Sequence, residues 1–315
     1  LNSKVLLAPM AGTSDKPFRI MCREQGAALT TSEMVVLQKH LLNTNKSKHR
    51  LDFSSEKSPI SIQIAGSEAK ELAESARQAV EFGADIVDIN MGCPAKKVCN
   101  KAAGSALMQH EKLVENIIKS VVNAIDIPVT LKMRTGWNEE NKNAPTIAKI
   151  AEDFGIQMLA IHGRTRAQKY NGHAEYDTVK EIVKLVSIPV IANGDITTAE
   201  KAKKVLDFTG ADGVMLGRAT QGNPWLVGQV NQYLSTGENS QPPKLEKKIS
   251  LILKHIRQIH EFYGNKMGTQ LSRKHIFWYS IHLDQKKGTA FWPSINRVSD
   301  HSEQYFKFHE FLYSL

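Results

Sequence analysis

The chain has 315 residues, of which 41% are hydrophobic and 23% charged, with 20 Gly and 11 Pro. That is about twice the length of a usual domain, and the composition excludes collagen-like, low-complexity and wholly disordered chains. Forty-one Lys+Arg against 32 Asp+Glu leave a net charge of +9, which suits an anionic partner without requiring one.

Short apolar, β-branched runs alternate with stretches of helical period through the first three quarters of the chain. The runs predict strands at 4–9, 28–33, 59–65, 84–90, 128–133, 157–162, 188–193 and 211–216. Helical patterns lie between most of them. Over Ala69 to Phe82, for example, Leu72, Ala76, Ala79, Val80 and Phe82 share one face. The strands are apolar almost throughout, as in parallel sheets covered on both sides. A weak repeat supports this: Gly83, Gly155 and Gly210 each stop a helix just before a strand. The architecture expected is α/β, a (β/α)8 barrel of the TIM type, with a doubly wound open sheet as the alternative.

The barrel pattern fades near Tyr233. We therefore expect a barrel over 1–235, a polar, Pro-rich linker over 236–243 and a C-terminal helical domain over 244–315. Residues 236–315 hold 12 Lys+Arg, 7 Asp+Glu and 12 of the 22 aromatics. Two readings fit that composition, a nucleic-acid grip or a helical bundle with an aromatic core and a solvated basic face.

Cys22, Cys93 and Cys99 are too few and too irregularly spaced for a disulfide framework, and no spacing suggests a metal. Cys22 fits a core helix face. No apolar run approaches the ~20 residues of a membrane span, and Lys4 to Ala8 is too short for a signal peptide. A reducing cytoplasm is the expected setting. The first residue, Leu1, suits a chain lacking a few N-terminal residues.

In such barrels the chemistry sits where the strands end. The predicted strand ends are Pro9-Met10, Glu33, Gln63, Asn90, Lys132, His162, Asn193-Gly194-Asp195 and Gly217-Arg218. Nearly all are polar or glycine after an apolar run, which points to one shared site. Asn193-Gly194-Asp195 and Gly217-Arg218 follow the seventh and eighth strands, where these barrels bind phosphate on backbone N–H groups. Neither a Rossmann fingerprint nor a P-loop occurs.

Lys132 and Gln63 would face the mouth. There Lys132 could meet an anionic ring such as a reduced flavin, or it could simply be a surface lysine. His162 fits either an anion contact or a structural role, and Arg164 and Arg166 on the next loop favour the anion. Cys93, held between Gly92 and Pro94, could serve as a general acid, a thiol being protonated at neutral pH. The alternative is a buried, inert cysteine.

Six segments occur in the order and spacing of the tRNA-dihydrouridine synthases, a family this chain resembles from end to end. They are Leu7-Ala8-Pro9-Met10-Ala11-Gly12, Gln63-Ile64-Ala65-Gly66, Asn90-Met91-Gly92-Cys93-Pro94, Leu131-Lys132-Met133-Arg134, His162-Gly163-Arg164-Thr165 and Asn193-Gly194-Asp195. Ala95 to Val98 and Gly104 to Leu107 are most similar to the bacterial B subgroup. Cys99 stands where the family suggests a polar residue.

The resemblance implies FMN in the mouth. Pro9, Met10 and Ala11 would lie against its ring and Gln63 and Lys132 on its polar edge. His162, Asn193, Gly194, Asp195, Gly217 and Arg218 would lie toward its phosphate. It further implies NADPH as reductant, hydride delivery to C6 of a uridine extruded from tRNA, and proton donation to C5 by Cys93. Asn90, Arg164, Arg166 and the basic tail become candidates for contact with tRNA, and a monomer suffices. The rival readings are an FMN barrel acting on a small pyrimidine, as dihydroorotate dehydrogenases do, and a non-catalytic RNA-binding barrel.

Overall fold

The computed structural model describes residues 3–37, 45–100 and 102–315. Eight parallel strands form one sheet: β1 (Val5–Leu7), β2 (Leu29–Thr30), β3 (Ser61–Ile64), β4 (Ile86–Met91), β5 (Val129–Arg134), β6 (Met158–His162), β7 (Val190–Asn193) and β8 (Gly213–Leu216). Their order is β2-β1-β8-β7-β6-β5-β4-β3. Parallel bridges Thr31 to Ser61 and Val35 to Ile64 draw the two edge strands together. The architecture is thus a (β/α)8 TIM barrel, as the alternation of runs predicted, and the open-sheet alternative falls. All six residues of β4 except Ile86, and all of β5 except Lys132, are buried. Helices cover the outside and a small apolar cluster of Leu6, Ala8, Leu29, Ala160, Ile191 and Met215 forms a second core group.

Helix Ala69–Glu81 shows where periodicity misled. Leu72, Ala73, Ser75, Ala76 and Ala79 face the core, whereas Val80 and Phe82 are exposed. Phe82 is the helix C-cap, so its side chain no longer follows the helical face.

Beyond the helix Leu226–Thr236 the chain runs through 237–244 without regular structure and then forms helices Leu245–Leu283, Gln285–Ile295 and His301–Tyr313. The long first helix is broken at Gly264, whose φ of 73° lies in the left-handed region. These helices close around their own core of Ile252, Ile256, Ile276, Tyr279, Ile295, Phe308 and Leu312. Phe291 stacks on Phe311 at 4.2 Å between ring centroids. Most of the C-terminal aromatics are therefore packing side chains, while Phe306 and Tyr313 stand exposed. The basic residues are the ones left for solvent or a partner. Among the described residues no helix is long and apolar enough to cross a membrane.

The helical part is packed against the first barrel helix, Lys16–Glu24. Phe18, fully buried, lies 5.6 Å from the rings of both His255 and His275, and the Tyr279 hydroxyl lies 3.4 Å from the sulfur of Met21. Removing 244–315 would bare this surface, so such a truncation reports on folding before it reports on any ligand.

His255 and His275 are buried and uncharged. Burial, helped by Lys274, holds His255 down at about 3 against an ordinary 6.5. Burial, His255 and Lys274 depress His275 further. The unfolded chain takes up protons near 6.5 and the folded one does not, so this part of the stability is complete above that pH. It is lost as pH falls toward 3, by up to about 1.4 kcal/mol per pH unit for each histidine. Urea titrations at pH 7.5 and 5 should show the loss, and His275→Leu should flatten it, because both nitrogens of His275 lack a partner. An equal acid slope in that variant would exclude His275 as a source.

Candidate active site

The C-terminal ends of the strands open on a cavity of about 630 Å³ lined by Pro9, Met10, Ala11, Gln63, Asn90, Cys93, Lys132, Arg134, His162, Tyr170 and Arg218, among others. A smaller one of about 210 Å³ adjoins it and is lined by Asn193, Gly194, Asp195, Gly217 and Arg218 together with Pro9, Met10, Lys132 and His162. The predicted strand-end residues thus converge, with the exception of Glu33. Its buried carboxylate accepts from the Gly12 N–H and from Arg50 Nε, so it steadies the Pro9–Gly12 loop from behind.

The mouth is cationic. Lys132 Nζ donates to Asn193 Oδ1 at 3.2 Å. Burial, then the neighbouring Arg134 guanidinium, lower its pKa from 10.5 to about 8. His162 is held down at about 2 by burial and by Lys132, Arg134, Arg164 and Arg218 around it, so it is neutral at physiological pH. No Asp or Glu lines the larger cavity among the described residues. A desolvated ammonium with N–H groups to spare, facing a cavity without acids, fits an anionic or electron-rich guest. The combined space suits a flat ring system with a phosphate-bearing tail, the phosphate lying at the turns after β7 and β8.

Gly194 shapes the turn after β7. Its φ is +126°, and a Cβ there would stand 2.7 Å from the Ala174 Cβ and 3.1 Å from the His162 ring. Asn193 is doubly engaged, accepting from Lys132 and donating through Nδ2 to the Met215 carbonyl at 2.7 Å. Asp195 is the hub of the turn. It accepts from Arg164 at 2.9 and 2.7 Å, from Arg218 at 3.2 Å and from the Ala174 N–H at 2.8 Å. Burial pushes its carboxyl up, but these donors outweigh it and hold the group below the ordinary range.

Arg164 does not meet the expectation of a tRNA contact. It is 2% exposed, and the guanidinium is engaged by Asp195 and by the carbonyls of Asn171 and Gly172 at 3.1 and 2.7 Å. It ties the turn after β7 to the loop at Asn171 and Gly172. Arg166 is half-buried over the Trp137 ring at 4.3 Å, a stacked position that likewise leaves little of it for RNA. Sequence reading overlooked Arg134 and Tyr170. Arg134 follows Lys132 by two residues on β5 and so shares its face, a signal that alternation carries. Tyr170 is 54% exposed and stands 4.6 Å above the Arg218 guanidinium, and nothing in the local sequence marks it.

Cys93 lies on the loop after β4. Its N–H donates to Asn90 Oδ1 at 3.0 Å, and its carbonyl accepts from Ser105 Oγ at 2.9 Å. Gly104 lets the chain approach, since a Cβ there would come within 2.9 Å of the Cys93 carbonyl. Burial pushes the thiol above its ordinary range, Cys99 adds to this, and Arg134 and Lys132 oppose it. The thiol is therefore protonated at neutral pH, the state a proton donor needs. Cys99 Sγ sits 3.6 Å from both the Cys93 carbonyl and Ser105 Oγ, beside the loop's anchor.

Removing the hub should cost stability. Asp195→Ala leaves the Arg164 charge buried without its partner, and the expected loss is about 3 kcal/mol or more in urea denaturation. A loss below 1 kcal/mol would show that the carbonyls alone satisfy Arg164.

Sequence comparison finds the chain's family. The profile of the dihydrouridine synthase (Dus) family matches residues 6–313. The chain is 51% identical over 304 residues to the tRNA-dihydrouridine synthase B of Pseudomonas aeruginosa, covering 96% of this chain and 91% of that one. It is 50% identical over 304 residues to the protein of that name from Escherichia coli K12, covering 96% and 94%. To that of Xanthomonas axonopodis pv. citri it is 52% identical over 295 residues, covering 94% and 88%. The chain belongs to the dihydrouridine synthase family.

Proposed function

We propose that this chain reduces uridine to 5,6-dihydrouridine in tRNA, with FMN in the barrel mouth, NADPH as reductant and Cys93 as the proton donor. The observation that carries the reading is one cavity at the strand ends lined by Cys93, Gln63, Asn90 and Lys132 together. The family reduces uridine in tRNA with a flavin; FMN, NADPH and the residue roles are the finer part of the proposal.

Pro9, Met10 and Ala11 would hold the flavin ring, with Gln63 and Lys132 at its polar edge. His162, Asn193, Gly194, Asp195, Gly217 and Arg218 would surround the phosphate, Asp195 through the placement of its cations. When bound and reduced, the flavin supplies a hydride to C6 of uracil. Cys93 Sγ–H donates its proton to C5, and Lys132 and Arg134 stabilise the thiolate that remains. Asn90 orients the thiol loop, and bound RNA covers the mouth against water. Residues 1–235 form the catalytic part and 236–243 the linker. Residues 244–315 present exposed cations such as Lys247, Lys286 and Arg297 to the tRNA backbone. One copy suffices for these contacts, and a tRNA substrate fits a cytoplasmic setting.

Cys93→Ala should keep bound flavin and NADPH oxidation while dihydrouridine formation falls at least a hundredfold, the usual worth of a positioned acid. Near wild-type turnover on tRNA would remove Cys93 from the mechanism. Free uridine and orotate should not be reduced at comparable rates, which separates this reading from a small-pyrimidine reductase. Replacing Lys247, Lys286 and Arg297 together by Ala should weaken tRNA binding and lower the slope of log K against log salt by about 1 per lost phosphate contact. Unchanged affinity and slope would take those cations out of the interface.

A further inference from the structure

We propose that Asp88 is a positioning residue for the Cys93 thiol, acting through Gln63 and Asn90. The inference rests on the proton-donor role given to Cys93 above.

The direction of every hydrogen bond in this chain is forced from the loop end. The backbone N–H groups of Gly92 and Cys93 can only donate, so Asn90 must turn Oδ1 to them, at 3.2 and 3.0 Å. Its Nδ2 then faces Gln63, which must present Oε1, at 2.7 Å. Gln63 Nε2 is left pointing at Asp88, whose Oδ2 accepts at 2.7 Å. The other carboxylate oxygen accepts from Thr130 Oγ1 at 2.6 Å. The Gln63 side thus requires an acceptor at position 88, whereas the Thr130 hydroxyl can either donate or accept.

The chain is built into the barrel. Gln63 pairs with Asp88 across β3 and β4, and Asp88 with Thr130 across β4 and β5. Gln63, Asp88, Asn90 and Thr130 are all buried, with exposures of 1, 5, 8 and 5%, so water has little access to replace a missing partner. Asp88 does not line either mouth cavity. Burial raises its carboxyl pKa, while Thr130, Gln63 and Lys132 oppose the rise. In either protonation state an oxygen remains to accept from Gln63. The outcome is a rigid link from the barrel interior to the amides on both sides of the Gly92–Cys93 peptide.

The test uses the full-length, flavin-loaded protein and reads the thiol directly. Iodoacetamide labelling of the Cys93 peptide is followed by mass spectrometry, which separates it from the Cys99 peptide because Lys96 and Lys97 lie between them. Asp88→Leu keeps the shape but orphans Gln63. Its Cys93 should label about three to ten times faster at pH 8, as the freed thiol moves into water and its pKa returns toward ~8.5. Its kcat for dihydrouridine should fall about tenfold, with tRNA affinity and flavin reduction by NADPH unchanged. Asp88→Asn should behave as wild type, since its carbonyl still accepts from Gln63 and its NH2 can donate to Thr130.

Wild-type labelling and turnover in Asp88→Leu would overturn the proposal, and so would an Asn variant as damaged as the Leu one. Faster labelling with unchanged turnover would uphold the link and discard Cys93 as the acid. If Asp88→Leu does not fold by circular dichroism, Asn90→Ala breaks the last link, and wild-type labelling there would equally overturn the proposal.

Discussion

The constraint on which the rest depends is the desolvation of positive charge at one end of a parallel barrel. Lys132, Arg134 and Arg164 are held where water is scarce, and each needs electron density from somewhere. Arg164 takes it from Asp195 and two carbonyls. Arg134 takes it from the carbonyls of Gly92, Thr165 and Lys169. Lys132 has Asn193 and an open cavity. The two arginines therefore shape loops, and the lysine is the cation left for a guest. Neutral His162 follows from the same arrangement, because a proton there would join four cations.

That division also explains how one thiol can stay protonated beside so much positive charge. Nearby cations favour a thiolate, but burial acts in the opposite sense and prevails at Cys93. The loop holding it is fixed at both ends by donors and acceptors from different strands: Asn90 on its amides, Arg134 on the Gly92 carbonyl and Ser105 on its own carbonyl. The loop is thus held through its backbone, while the thiol itself meets the Ala95 N–H, which opposes burial without overcoming it.

Much of the fold was legible because its elements are short-range events. Apolar runs bounded by Gly and Pro gave each strand to within a few residues, and the eight-fold count gave the barrel. The strand-end rule then placed every residue it named except Glu33 on the two cavities without any contact information. What escaped depends on partners distant in sequence. Arg164 looked like a surface cation because Asp195, which neutralises it, is 31 residues away. Asp88 looked like one more strand residue because its meaning lies in the register of β3, β4 and β5. The aromatics of the C-terminal helices left a nucleic-acid grip and an aromatic core both open, because composition does not tell inward from outward; most point inward. Phe82 failed for a local reason, the end of helical geometry at the cap.

The seat of Phe18 between His255 and His275 has a consequence for synthesis on the ribosome. The helix Lys16–Glu24 emerges well before the C-terminal helices, and its N-cap, Asp15, belongs to the same loop as Pro9 and Met10. The side chains that cover Phe18 and Met21 are translated more than two hundred residues later. Until then an apolar face on the nascent chain stays open, and the loop that would cradle a flavin ring hangs from a helix packed on one side only. The helix beneath the mouth of the barrel is thus covered only after the C-terminal helices have been made, which ties its maturation to their translation.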